Sequence, residues 1–164
     1  MAKAAFLDRD GVLNIDTGYP HKLTELEIIP GVPAALKLLS EAGFQLFIVS
    51  NQSGVGKGMF DETDVVAFNN RLLYLLGTQN IHFRGVSYCT HVAAEGCLCR
   101  KPEPKMILDF VEKFSLDSNE SMLIGDKDSD VTAGVRAGLN TNLKIPSNTG
   151  YALLNAVKGF LEKK

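Results

Sequence analysis

Asp8 and Asp10 stand two positions apart in Asp8-Arg9-Asp10-Gly11, directly after the apolar run Ala4-Ala5-Phe6-Leu7. Two carboxylates turned into one pocket repel unless a cation compensates them. Mg²⁺ suits such a site, because it takes hard oxygen ligands, few of them from protein, and keeps several waters. A surface turn with an aspartate capping the next segment would use the same residues, and the motif alone divides evenly between the two readings. Three more segments bear on the choice. Ser50-Asn51-Gln52-Ser53-Gly54 offers hydroxyl and amide donors for a phosphate; alone it reads equally as a polar turn. Arg100-Lys101-Pro102 sets two cations before a proline, or forms a solvated basic pair. Gly125-Asp126-Lys127-Asp128-Ser129-Asp130 carries three acids. Asp126 could reach a metal and Asp130 could cap a helix or orient Lys101, although acids also favour any helix N-terminus through its dipole.

A second constellation is Cys89-Thr90-His91 followed five residues later by Cys97-Leu98-Cys99. Three thiolates and an imidazole make a closed tetrahedral zinc set with no open position, so this zinc would be structural. Free buried thiols are the other reading. A disulfide between Cys97 and Cys99 is disfavoured, since residues i and i+2 in extended chain sit about 6.5–7 Å apart. A Cys89–Cys97 bridge would leave Cys99 and His91 without a role. Three cysteines are too few for a disulfide scaffold, and metal ligation is the better first reading in a reducing compartment.

The elements that position these residues alternate between strand and helix. Strands are expected at 4–7, 44–49, 86–88, 121–124 and 141–145. Helices are expected at 33–41, about 61–76, 105–114, 130–137 and 151–161. Pro33 suits a first turn and Gly43 a stop. Such alternation implies an α/β fold, a mainly parallel sheet flanked by helices. Asp8, Ser50, Cys89 and Asp126 all fall at carboxyl ends of predicted strands, the edge where open α/β sheets bind ligands. Phe44, Phe47, Phe68 and Phe110 are core candidates by period, whereas His21 and His82 read as surface groups. The segment 54–58 is glycine-rich but fits neither dinucleotide nor Walker spacing, and reads as a turn.

The chain has 164 residues, 45% apolar and 22% charged, with a net charge of −2. One domain over 1–164 with a full core is expected. The weak acidity argues against nucleic-acid and anionic-membrane binding. No apolar run is long enough to span a bilayer. No secretory h-region forms before Asp8, so a cytoplasmic protein is expected.

Taken in order, the four acidic and polar segments resemble the motifs of the haloacid dehalogenase superfamily of phosphohydrolases: the D-x-D pair, strand-end Ser50, Lys101, and the later Asp126 and Asp130. The resemblance spans nearly the whole chain and implies a Rossmann-like fold. It implies that Asp8 is the nucleophile that forms an aspartyl-phosphate. Asp10 would protonate the leaving alkoxide and then activate water, and nearby negative charge would favour its protonated form. Mg²⁺ would be held by Asp8, Asp126 and the backbone carbonyl of Asp10. Ser50 and Lys101 would bind equatorial phosphoryl oxygens, and Asp130 would support Lys101.

The zinc loop of Cys89, His91, Cys97 and Cys99, followed by Arg100-Lys101-Pro102, is similar to one branch of that superfamily. This branch holds heptose 1,7-bisphosphate 7-phosphatases and histidinol-phosphatases. Asp16-Thr17-Gly18-Tyr19 and Asn51-Gln52-Ser53-Gly54 look more like the heptose enzymes. The resemblance carries substrate contacts onto Asp16, Thr17, Gly18, Tyr19, Ser50, Asn51, Gln52, Ser53, Arg100, Lys101 and Lys127. It implies a small sugar-phosphate substrate in nucleotide-activated heptose synthesis, with histidinol phosphate as the alternative. It also implies no large cap domain, the zinc-stapled loop and residues 16–22 framing the site instead. A silent zinc-stapled binding module is a reading of another class, and the intact set of Asp8, Asp10, Ser50, Lys101 and Asp126 argues against it. Thr90, Val92, Ala93 and Lys57 depart from the branch's usual Pro, Pro-containing and Arg positions; Lys57 would leave a point charge where a bidentate contact is usual. With no obvious exposed apolar helix face, a monomer is expected.

Overall fold

The computed structural model describes residues 1–164. Five strands, β1 (Lys3–Leu7), β2 (Phe44–Asn51), β3 (Phe83–Cys89), β4 (Met122–Gly125) and β5 (Thr141–Lys144), alternate with five helices. The helices are α1 (Val32–Glu41), α2 (Glu62–Gly77), α3 (Lys105–Phe114), α4 (Asp128–Arg136) and α5 (Ala152–Leu161). All strand pairings are parallel, in the order β3-β2-β1-β4-β5.

The period-two alternation of the strands builds two apolar layers. Ala5 and Leu7 of β1, with Phe44, Leu46 and Ile48 of β2, pack under Leu36 and Leu39 of α1, Leu72 and Leu76 of α2, and Val157 of α5. Ala4 and Phe6, with Phe47 and Val49, face the other way onto Met106 and Ile107 of α3 and Ala133 of α4. On that second face the rings of Phe6, Phe47, Phe110 and Phe114 form a cluster, with centroids 4.8–6.4 Å apart. Of the expected core phenylalanines, Phe44, Phe47 and Phe68 are buried and Phe110 is partly buried.

The expected element order is the observed one, with shifts at the ends. β2 continues through Ser50 and Asn51, because both pair with β3. β3 starts three residues early, at Phe83. α4 starts at Asp128 rather than Asp130, which places Asp130 inside its first turn. Tyr151 lies outside α5 with φ 64°, a left-handed residue ahead of the helix. His21 does not simply face solvent: its ring stacks on Phe60 at 4.4 Å.

Strand order reverses direction at β1, whose neighbours are β2 on one side and β4 on the other. This switch point opens a crevice at the carboxyl edge of the sheet. Asp8 follows β1 directly and Asp126 follows β4 directly, so the two acids flank that crevice. Residues 8–31 and 90–104 cover the edge, each with a single short 3₁₀ turn and no inserted cap domain.

Candidate active site

Lys101 is the cationic centre of the crevice. Its Nζ lies 2.9 Å from Asp8 Oδ1 and 2.6 Å from Asp130 Oδ1, and donates to the Val49 carbonyl at 2.7 Å. It is buried, as are Asp8 and Asp130. Burial works against its charge, but the two carboxylates outweigh it and hold the ammonium above its usual range. Burial drives the Asp8 carboxyl up to about 8, opposed by Lys101 and reinforced by the negative charges of Asp130 and Asp126. Asp130 Oδ2 accepts from the backbone N–H groups of Asp126 and Lys127 at 3.1 Å each, so it caps α4 as well as pairing with Lys101. Gly125 permits this arrangement, since a Cβ there would sit 2.2 Å from Asp130 Cβ.

Carboxylate oxygens of Asp8, Asp126 and Asp130 lie within 4.8 Å of one another. One lysine faces the three acids, and it reaches only two of them. Asp126 Oδ1 is buried with no hydrogen-bond partner. An orphaned carboxylate oxygen in a site short of positive charge fits a hard divalent cation such as Mg²⁺. Gly11 backs this position: its φ is 84°, and a Cβ there would lie 2.3 Å from Asp126 Oδ2.

Asp10 sits in a cage of donors. Arg9 grips it with Nε on Oδ1 at 2.8 Å and Nη2 on Oδ2 at 3.2 Å. Asn14 donates to Oδ1 at 3.0 Å and Gln52 to Oδ2 at 3.1 Å. The neighbourhood is thus cationic and amide-rich, not anionic as the sequence reading supposes for Asp10. The same Gln52 amide donates to Ser50 Oγ at 2.8 Å.

A polar cavity of about 310 Å³ opens over these groups. Asp8, Asp10, Asp16, Gly18, Tyr19, Asn51, Gln52, Ser53, Arg100, Lys101, Lys127 and Asp130 line it, together with Ser129, which sequence reasoning does not single out. Two expected contacts do not reach the lining. Thr17 turns its hydroxyl to Glu25 at 2.9 Å, outside the cavity. Ser50 is buried beneath the floor, its hydroxyl held by Gln52. Asn51 ties β2 to the Lys101 backbone through reciprocal bonds of 3.0 and 3.1 Å. Lys57 hydrogen-bonds the Tyr19 hydroxyl and lies 4.6 Å from the centre of its ring. That hydrogen bond holds the Tyr19 phenol below its ordinary range.

The cysteine loop closes on itself beside the cavity. Cys89 Sγ lies 3.6 Å from Cys97 Sγ and 3.3 Å from His91 Nδ1, and Cys99 Sγ lies 3.7 Å from Cys97 Sγ and 3.2 Å from the same His91 nitrogen. A tetrahedral ion with Zn–S bonds of about 2.3 Å has S···S edges of about 3.8 Å, so the donor set has zinc dimensions. These separations exclude disulfides, and all three cysteines are free. Burial pushes the Cys89 thiol up to about 12, a cost that a bound dication offsets. The Arg100 N–H points at Cys97 Sγ at 3.4 Å, so the cluster and the cations that follow it form one rigid turn.

Arg9 is a further residue at the site that the sequence reading passes over. It is wholly buried, with its guanidinium 4.2 Å from the Phe68 ring centre. Its only sequence signal is a charge between two acids at the end of an apolar strand.

An open parallel sheet with acids at its switch point is an arrangement that several protein classes share, and comparison with known proteins says which of them this chain joins. The haloacid dehalogenase-like hydrolase family model matches residues 5–138, and the chain belongs to that family. It is 43% identical over 144 residues to a D-glycero-β-D-manno-heptose-1,7-bisphosphate 7-phosphatase of Rhodopseudomonas palustris, covering 83% of this chain and 79% of that protein. It is 37% identical over 151 residues to the protein of the same name in Haemophilus influenzae, covering 88% and 82%. Among solved structures, the D,D-heptose 1,7-bisphosphate phosphatase of B. bronchiseptica, complexed with magnesium and phosphate, superposes with a TM-score of 0.86 at 26% identity over 99% of each chain. No helix is long and apolar enough to cross a membrane.

Proposed function

We propose that this protein is a Mg²⁺-dependent phosphomonoester hydrolase that removes the 7-phosphate of D-glycero-D-manno-heptose 1,7-bisphosphate. The observation that carries the reading is the Asp8 carboxylate, held by Lys101 beside the unpartnered Asp126 oxygen and opening onto a polar cavity. The names of the curated relatives supply the substrate class.

Asp8 attacks phosphorus, and the bond from phosphorus to the sugar oxygen breaks as the Asp8–phosphorus bond forms. Asp10, gripped by Arg9 in this structure, would take up a proton as the anionic substrate binds and give it to the departing alkoxide; it then takes a proton from water, which attacks the aspartyl-phosphate and frees Asp8 and inorganic phosphate. Lys101 neutralises charge on the nucleophile and on the transferring group. Asp8, Asp126 and the Asp10 carbonyl would hold Mg²⁺, which supplies charge compensation between an anionic nucleophile and an anionic phosphate. Gln52 donates to Ser50 Oγ beneath the phosphoryl pocket, which leaves the Ser50 hydroxyl proton free to donate to a phosphoryl oxygen. Arg100, Lys127 and the loop of Asp16 to Tyr19 frame the sugar. Cys89, His91, Cys97 and Cys99 would hold a structural zinc, which would fix the turn that presents Arg100 and Lys101.

Side-by-side kcat/KM on both anomers of the heptose bisphosphate and on histidinol phosphate tests the assignment. The heptose substrate should be preferred. A clear preference for histidinol phosphate, or no Mg²⁺-dependent turnover on any of them, would overturn it.

A further inference from the structure

Arg9 is a fully buried cation whose partners lie on three separate parts of the chain. Besides its two-pronged grip on Asp10, Nη1 donates to Asn69 Oδ1 of α2 at 2.9 Å and Nη2 to the Pro20 carbonyl at 3.1 Å. Pro20 closes the segment whose Asp16, Gly18 and Tyr19 line the cavity. The far end of that segment is pinned by Asn148, which accepts from Asp16 N at 2.7 Å and donates to Asp16 O at 2.9 Å. Arg9 therefore sits behind both the cavity wall and the carboxylate of Asp10, whereas the Asn148 side chain bonds the wall alone, its backbone N–H donating to the Gly11 carbonyl.

A buried arginine–carboxylate pair returns little net stability, because desolvation cancels most of its attraction, and apolar residues in place of both partners often do as well. Its distinctive property is geometric: a planar fork fixes both carboxylate oxygens at once. Here the fork, Asn14 and Gln52 leave Asp10 little freedom of rotation.

We infer that Arg9 is a positioning residue, which holds the Asp10 carboxylate in the orientation for proton transfer and locks the wall of residues 16–20 to it. This rests on the role proposed for Asp10. Arg9 is fully buried and does not line the cavity, so its effect on turnover passes through Asp10.

The test compares an alkyl phosphate, whose poor leaving group needs a proton, with an aryl phosphate, whose good leaving group does not. Arg9→Met should lower kcat on the alkyl ester by roughly 10–100-fold, within the usual share of acid–base catalysis. The first-turnover release of the phenol should fall by less than about threefold, as should that of Asp10→Asn. The double variant Arg9→Met/Asp10→Asn should be no slower on the alkyl ester than Asp10→Asn alone. Asn148→Ala should instead raise KM on the sugar substrate with kcat held within about twofold, a pattern of lost uniform binding. Arg9→Lys keeps the charge without the fork and should show the same leaving-group dependence more weakly, which covers the case of a poorly folded Arg9→Met. Equal losses on both esters, or losses that add to those of Asp10→Asn, would overturn the role of Arg9. If Asp10→Asn itself lacks leaving-group dependence, the reading of Asp10 fails, and the Arg9 inference fails with it by a separate result.

Discussion

Lys101 and Asp8 are 93 positions apart in the chain, yet the lysine Nζ stands 2.9 Å from the aspartate Oδ1, both side chains nearly sealed from solvent. The contact joins the end of β1 to the turn that follows the cysteine cluster. It links the two constellations, acid pair and cysteine–histidine set, into one site.

Removing that lysine leaves Asp8 and Asp130 buried without their cation. Lys101→Met should lower folding stability by about 3–5 kcal/mol, the usual cost of breaking a buried pair from one side. Urea unfolding measures it, and an unchanged midpoint would mean that the pair carries no such strain. Turnover should fall as well, because the nucleophile loses its nearest positive charge.

Asp8, held at about 8 in the folded chain, binds its proton more tightly there than in the unfolded chain. Stability without added Mg²⁺ should therefore fall as pH rises from the ordinary carboxylate range towards 8. Mg²⁺ competes with that proton, so its stabilising effect should grow over the same window. Melting curves with and without Mg²⁺, at about pH 6 and about pH 9, check the sign; an equal Mg²⁺ shift at both would contradict it.

How much of this was legible in the sequence depends on where each partner lies. The strand ends that carry Asp8, Ser50, Cys89 and Asp126 follow from short apolar runs that stop at polar residues, and the sheet then brings them to one edge. The cysteine set is legible because its spacing is local. The contacts of Arg9 with Asn69 and Pro20 are not, since they depend on how α2 and the loop fold over β1. Thr17 facing Glu25, and Lys57 lying on Tyr19, are side-chain choices among near-equal neighbours on exposed loops. No periodicity records those.

Gly11 offers a backbone test of the metal reading. Gly11→Ala forces a positive φ on an L residue and drives its methyl into Asp126 Oδ2. Mg²⁺ affinity should fall by about 10–100-fold, the scale for disturbed support of a metal ligand. Titration calorimetry reads it directly, and wild-type affinity would remove Asp126 from the ligand set.

Cys97→Ser should lower zinc content from one equivalent and reduce activity together, because the Arg100 N–H rests on that sulfur. Metal analysis of the purified variant, alongside its kcat, checks both. Unchanged zinc would exclude Cys97 as a ligand, and lost zinc with full activity would separate the loop from the site.

The central claim is that Asp8 carries the phosphoryl group in transit. The most direct measurement is acid quenching during turnover, followed by peptide mass mapping. The account predicts one phosphate on the peptide containing Asp8, absent in Asp8→Asn, which should also be inactive. Steady turnover by Asp8→Asn, or phosphate release with no labelled Asp8 peptide under conditions that slow the second step, would contradict it.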